Sequence, residues 1–285
     1  MTTTARPATE FVKAISRLDA TAIVVGSMIG SGIFIVSADI VRQVQAPGLL
    51  LGVWAAAGLM TLVGALTYGE LAALFPRAGG QYVYLRESIS PLFGFLYGWT
   101  LFMVIQTATI AAVAVAFARF TAVLVPALGE HVFLGGRIGK YELGLSGQRL
   151  WAIGSIALLT WINVRGVRTA ALIQTTLTII KTAALGALIV LGLSIGRNAQ
   201  AIAANFGAGF WPAEGFTWAL LPLVGAAMVG ALFSMDAWNN VTFASGELRR
   251  PERDLPFAMA AGVLIVTTLY VLANTSYLSV LPAPA

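Results

Sequence analysis

A chain that returns repeatedly to apolar runs of about 20 residues has few folds open to it. Each run can cross about 30 Å of hydrocarbon, and inside a bilayer every backbone polar group needs a partner within the protein. Seven spans are expected, at about 19–42, 48–75, 91–125, 149–164, 169–196, 218–245 and 256–281. Composition agrees: 58% of residues are hydrophobic and 10% charged, against roughly a quarter charged in an average soluble domain. The pattern predicts an all-α integral membrane protein, read as a single transmembrane domain over residues 1–285. The absence of cysteine excludes disulfides, zinc–thiolate sites and thiol catalysis. The N-terminal stretch MTTTARPATEFVKAISRLDA is polar and carries no A-x-A-like cleavage site, so the first span is expected to remain as an anchor.

The placement of charge says more than the net value of +5. With the N-terminus inside, the inner loops hold Arg6, Lys13, Arg17, Arg77, Arg86, Arg165, Arg168, Arg249, Arg250 and Arg253. The outer loops hold Arg42, Arg137, Lys140, Arg149 and Arg197. That asymmetry predicts a multi-pass protein of the cell inner (plasma) membrane with a cytoplasmic N-terminus. The basic balance is this topology signal and calls for no nucleic-acid partner. Two polar stretches, 128–148 and 196–215, fall outside on this topology.

Two spans depart from plain hydrophobicity. The first contains GSMIGSGIF, Gly26 to Phe34, with three glycines where a spanning helix would use leucine or valine. Gly26-x-x-x-Gly30 fits close helix packing. Gly30-x-Gly32 also resembles a phosphate loop, but such loops need a preceding strand and a soluble alternating fold. A third reading is a break: unwinding Ile29–Gly32 would free N–H groups at a half-helix N-terminus for a carboxylate, and carbonyls for an ammonium group. Irregular backbone at this depth is tolerated only where it is buried or lines a cavity. The sixth span supports the break. It carries Pro222, Gly225 and Gly230, then FSMDAWNN with Ser234, Asp236, Asn239 and Asn240. Interruptions at corresponding positions five spans apart point to a transporter built from inverted repeats. Spans one to five, about 19–196, would form the first repeat, and a second would start near 218 and run to about 395. The chain reaches Ala285 just after span seven, so it reads as truncated.

Charges inside spans are costly and are functional candidates by default. Asp236 is placed to meet a substrate ammonium or handle a proton; otherwise it caps the second half-helix. Phe233 and Trp238 stand beside the break and are candidate gates. Lys181 lies about twelve residues into span five, too deep to snorkel easily. There it would act as a proton carrier, or as a fixed cation that braces span one in place of sodium. Arg119, near an end of span three, can snorkel and reads as structural. Gln106 and Thr107 could line a cavity or simply bond a neighbouring helix.

GSMIGSGIF, NVRGVRTAALIQTTLTIIKTAALGAL, FSMDAWNNVTFASGELRRPERDLPFAM and PRAGGQYVYLRESISPLFGFLYGW occur in an order that resembles the amino acid–polyamine–organocation (APC) permeases. The similarity is strongest to the L-type branch and its bacterial relatives and covers nearly the whole chain. The resemblance implies a LeuT-type inverted-repeat transporter fold with discontinuous helices 1 and 6, the first repeat complete and the second only partly present. It implies that Ile29, Gly30, Ser31 and Gly32 receive the substrate α-carboxylate, that carbonyls around Met28 and at Phe233 receive the α-amino group, and that Ser234 and Asp236 flank the side-chain pocket. Lys181 falls where related members carry a lysine instead of sodium. This implies sodium-independent exchange or proton symport of an amino acid, with no cofactor and no metal. Family members often have glycine where Ala237 stands. The resemblance names no partner subunit.

Two other classes are weighed against a permease. A seven-span receptor predicts an outside N-terminus and needs no broken helices. An intramembrane enzyme needs convergent acid–base groups, whereas the single histidine, His131, falls in a loop. A sodium-coupled symporter is the alternative within transport.

Overall fold

A computed structural model of the chain describes residues 13–138, 141–165, 167–213 and 215–283. Arg6 and Lys140 of the charge count lie outside the described residues. Helices occupy all seven expected spans. Among the described residues, five are long and apolar enough to cross a membrane, and the bent pair at the first span makes up to six. Span four forms a helix of similar length, Gly147–Arg165, but Gln148, Arg149, Asn163 and Arg165 make it less apolar.

Residues Met1–Glu87 and Thr178–Ala285 form one compact unit and Ser88–Leu177 another. The first unit opens with α1 (Arg17–Met28) and α2 (Gly32–Val44). The start of α1 is fixed by a capping box: the Ser16 hydroxyl accepts from the Asp19 N–H, and the Asp19 carboxylate accepts from the Ser16 N–H. After α2 the chain turns through Gln45 in the left-handed region, and α3 (Pro47–Leu74) follows with proline at its first position. A short helix α4 (Gly80–Ser88) comes next. The chain returns to this unit at Thr178, within α8 (Val167–Leu193), and α9 (Ala199–Phe206) and α10 (Leu220–Ser234) lead to a 3-10 segment, Trp238–Glu247, and then to α11 (Pro251–Val280).

Contacts in this unit concentrate where a helix presents a glycine. Val24 packs on Gly262, Thr267 on Gly58 and Pro256 on Gly69, so α11 lies close against both α1 and α3. At one end of the unit, Ile15 forms a parallel bridge to Leu248. At the other, the Asn205 amide of α9 donates to the Leu278 and Leu281 carbonyls and accepts from the Ala283 N–H, at 2.7, 2.8 and 2.9 Å. The same connecting segment reaches α3, where the Gly48 N–H donates to the Phe210 carbonyl at 2.8 Å.

The second unit holds span three as α5 (Pro91–Thr100), a π-helical turn Leu101–Gln106 and α6 (Thr107–Leu124). Next come strands β1 (Val132–Ile138) and β2 (Tyr141–Ser146), and then α7 (Gly147–Arg165). Buried Ala114, Ala118 and Ala152 let α6 and α7 approach. The antiparallel hairpin falls in the polar stretch 128–148, between the helical spans. Outside the hydrocarbon the backbone can pair locally as strands, and only the spans are constrained to be helical.

Candidate functional site

Both predicted interruptions are present. α1 ends at Met28 and α2 restarts at Gly32, with a 48° bend across Ile29–Ser31. The break is one residue shorter at its far end than expected, because Gly32 already belongs to α2. Span six ends its α-helix at Ser234 and resumes as 3-10 structure at Trp238. Between them Ala237 adopts φ 71°, a left-handed conformation in which a Cβ is unfavourable.

The two breaks meet. Ser234 sits against Gly32 so closely that a Cβ at Gly32 would lie 2.7 Å from Ser234 Cβ and 3.2 Å from Ser234 Cα. A third element closes the arrangement. Tyr270 of α11 is fully buried, and its hydroxyl lies 2.9 Å from the Met28 carbonyl and 3.2 Å from the Ser234 carbonyl. Trp54 of α3 packs edge-on against the Tyr270 ring at 5.2 Å and holds it in place. One phenol therefore serves main-chain groups that both broken helices leave unpaired. Sequence reasoning missed Tyr270, whose only mark is a phenol midway along a span with no break and no charge.

The expected site residues divide by exposure. Met28 and Ile29 are buried, while Gly30 and Ser31 are exposed at the opening and offer main-chain groups. Ser31 has helical backbone angles and no side-chain capping bond, so it leaves the first N–H groups of α2 uncapped by its hydroxyl. The Met28 carbonyl is already engaged by Tyr270. Ser234 is buried, its hydroxyl donating to the Gly230 carbonyl at 2.8 Å. The Phe233 side chain is exposed, and its carbonyl accepts from the Asp236 N–H at 3.3 Å. Asp236 is exposed and, among the described residues, has neither an ion pair nor a side-chain hydrogen bond. No side chain caps the 3-10 segment, so Asp236 does not act as its cap. Trp238 packs edge-on against Tyr68 at 5.1 Å. Nearby, Tyr84 of α4, outside the spanning helices, is pushed up to about 12 by burial, against an opposing hydrogen bond with Thr242. Gln106 and Thr107 are exposed in the second unit, at the end of the π turn, where the Thr107 hydroxyl donates to the Phe102 carbonyl at 3.0 Å. Arg119 is exposed.

Lys181 is half-buried and has no ion pair or hydrogen bond among the described residues. Its depth follows from register. Ser276 bonds the Leu188 carbonyl at 3.2 Å, Ser276 also packs on Gly192, and Val280 packs on Gly196, so α8 and α11 run in the same direction. The glycine contacts pair Ser276 with Gly192 and Val280 with Gly196, which sets Tyr270 opposite Gly186, so at about 1.5 Å per residue Lys181 stands roughly 7–8 Å along α8 from the level of Tyr270. Lys181 shares a helix face with Thr178, whose methyl would lie 2.8 Å from a Cβ at Gly26, and with buried Leu185. Among the described residues, no cluster of His, Cys, Asp or Glu could hold a metal ion.

Comparison with known proteins follows this geometry. The sequence model of a family described as "Amino acid permease" matches residues 15–285. The chain is similar to the b(0,+)-type amino acid transporter 1 of Oryctolagus cuniculus, at 30% identity over 273 residues, 96% of this chain and 52% of that protein. It is also similar to the Large neutral amino acids transporter small subunit 2 of Mus musculus, at 34% identity over 272 residues, 94% of this chain and 48% of that protein. The chain spans about half the length of the curated relatives it matches.

Proposed function

The chain belongs to the amino acid permease family, a multi-pass membrane family with the LeuT-type fold, and on that premise we propose that it carries amino acids by alternating access around the two breaks. The observation that carries this reading is the meeting of both interruptions at Gly32 and Ser234 under one phenol, Tyr270. Exposed Gly30 and Ser31, with half-buried Gly32 behind them, offer main-chain donors at the start of α2, where the helix dipole favours a carboxylate. The Met28 and Phe233 carbonyls, each already accepting one hydrogen bond, receive the ammonium group through their remaining lone pairs, and Ser234 and Asp236 flank the side chain. Recognition of the backbone of an amino acid needs no cofactor or metal, and no catalytic step is assigned.

Lys181, half-buried and without a counter-ion among the described residues, supports sodium-independent exchange or proton symport over sodium coupling. The charge asymmetry of the loops supports a cytoplasmic N-terminus in the cell inner (plasma) membrane. The matched interruptions in spans one and six support the inverted-repeat arrangement, with one repeat over about 19–196 and a second starting near 218. The name of one relative describes a subunit, and no partner is assigned to this chain.

The test is competition for binding to the purified protein in lipid nanodiscs. Amino acids should displace a labelled amino acid, whereas their decarboxylated amines should compete poorly. Equal competition by the amines would overturn the carboxylate assignment.

A further inference from the structure

At one end of the first unit, two chain segments gather positive charge around an open cavity of about 440 Å³, lined by Ser16, Arg17, Arg249, Arg250 and Asp254. The main chain places them. The Ile15 N–H donates to the Glu247 carbonyl at 3.0 Å, and the Arg249 N–H donates to the Ile15 carbonyl at 3.2 Å. The residues just ahead of α1 therefore run beside those just ahead of α11. The lining sets three guanidinium groups against one carboxylate, and that carboxylate is already engaged: Arg17 Nε lies 2.9 Å from Asp254 Oδ1. The Asp19 carboxylate, one turn into α1, accepts from the Ser16 N–H and hydroxyl at 2.9 and 2.6 Å. Glu247 and Glu252 are near in sequence but do not line the cavity. Arg249 and Arg250 are exposed, and among the described residues neither has an ion pair or a side-chain hydrogen bond. Two guanidinium groups thus border one cavity without an anion.

Depth selects the anion. Arg17 begins the bent helix pair of span one and Pro251 begins α11, both apolar enough to cross a membrane, so the cavity lies where hydrocarbon gives way to headgroups. Its border is amphipathic. The Arg17 guanidinium covers the Phe257 ring at 4.9 Å, and Phe257 and Leu18 are 48% and 78% exposed. A soluble phosphate would use the charges and leave this apolar border bare, whereas an acylated one would use both. We propose that the cavity binds the phosphate of an anionic glycerophospholipid, with Arg249 and Arg250 on the phosphate oxygens and an acyl chain along Phe257. Arginine fits this task because its planar fork matches phosphate oxygens in pairs and is weakly hydrated. Basic residues beside a spanning helix are also drawn to an anionic leaflet. The site stands apart from the two breaks: Met28 is eleven residues beyond Arg17, about 16 Å along α1. It depends neither on the substrate nor on how that substrate is moved.

The test is the Tm of the purified full chain in neutral detergent, titrated separately with phosphatidylglycerol, phosphatidylcholine and inorganic phosphate. A ligand that binds the folded state raises Tm with its concentration. Phosphatidylglycerol should raise Tm, while phosphatidylcholine and inorganic phosphate at the same concentrations should leave it near its starting value. In the double variant Arg249→Gln with Arg250→Gln, the half-effective concentration of phosphatidylglycerol should rise about 10- to 30-fold. Arg249→Lys with Arg250→Lys keeps the charge but loses the fork, and should fall between that variant and the parent. Arg77→Gln with Arg197→Gln removes the same charge at two exposed positions elsewhere and should respond like the parent. Each variant is compared with its own lipid-free Tm, so a lower starting stability does not mask the response. A parent-like response in Arg249→Gln with Arg250→Gln overturns the site. So does an equal loss in the control pair, which would trace the effect to net charge. Phosphatidylcholine acting as well as phosphatidylglycerol overturns the anionic preference. A matching rise with inorganic phosphate overturns the lipid assignment and leaves a soluble-phosphate site.

Discussion

Replacing Gly32 with alanine tests the contact on which the site depends. Gly32 is not among the glycines with positive φ, which are Gly79, Gly80 and Gly215 among the described residues. An alanine is therefore permitted by the backbone at this position and forbidden only by space. Its Cβ would overlap the Ser234 hydroxyl and lie 2.7 Å from Ser234 Cβ and 3.2 Å from Cα. Carbon pairs rest at about 3.5–4.0 Å, so α2 and α10 must part by roughly 1 Å. Rotating the Ser234 side chain removes only the hydroxyl from the way and leaves both carbons. Overpacking of this kind costs about 1–3 kcal/mol. If that cost falls on the bound state, amino-acid affinity weakens about 5- to 150-fold. Equilibrium binding in nanodiscs, with Tm measured alongside, reads both consequences. Ser234→Gly removes the clashing Cβ and hydroxyl, so the double variant should recover most of the affinity and show a coupling energy above about 1 kcal/mol. Unchanged binding in Gly32→Ala would refute the close approach. A double variant as weak as the single would refute the spatial explanation, leaving flexibility of the break as the reason for glycine.

Tyr270→Phe leaves the Met28 and Ser234 carbonyls without their shared donor, at about 1–3 kcal/mol for each unsatisfied group. It should lower Tm and weaken amino-acid binding at least tenfold; an unchanged Kd would show that the hydroxyl is not what organises the breaks. Lys181→Ala should nearly abolish uptake in proteoliposomes, and near-normal uptake would remove its role as coupling or bracing cation. Replacing external sodium with choline should leave uptake by the unmodified protein unchanged, and its loss would restore the sodium symporter reading. Asn205→Ala breaks three hydrogen bonds that tie α9 to the end of α11 and should lower Tm while leaving the order of competing amino acids as it was.

Much of the architecture was legible because membrane insertion writes itself into composition. A run of about 20 apolar residues admits one backbone solution, so helices occupy the expected spans. The breaks were legible for the complementary reason: glycines at 26, 30 and 32, and a carboxylate at 236, are too costly in a lipid-facing helix to be there without cause. Tyr270 was not legible, since one hydroxyl in a span rich in threonine looks like any side chain bonded within its own helix. Its importance comes from register between α1, α10 and α11, which depends on Gly262 admitting Val24 and on Gly58 admitting Thr267. The hairpin at 132–146 was hidden for another reason. It lies in a segment of a membrane protein that answers to ordinary aqueous rules, where short polar stretches with several glycines carry little periodicity. The parallel bridge of Ile15 to Leu248 was invisible because a single main-chain bridge leaves no side-chain pattern.

The dependence of both breaks on Tyr270 also has a consequence for biosynthesis. Span one leaves the ribosome first and span six much later, each able to enter the bilayer as an ordinary continuous helix. Opening them early would strand the Met28 and Ser234 carbonyls in hydrocarbon, and would hold Ala237 at φ 71° at a cost of about 1–2 kcal/mol. The hydroxyl that relieves the two carbonyls arrives only with α11. A nascent chain halted before Pro251 therefore holds the sequence of both breaks without the group that satisfies them, and the site matures when span seven docks.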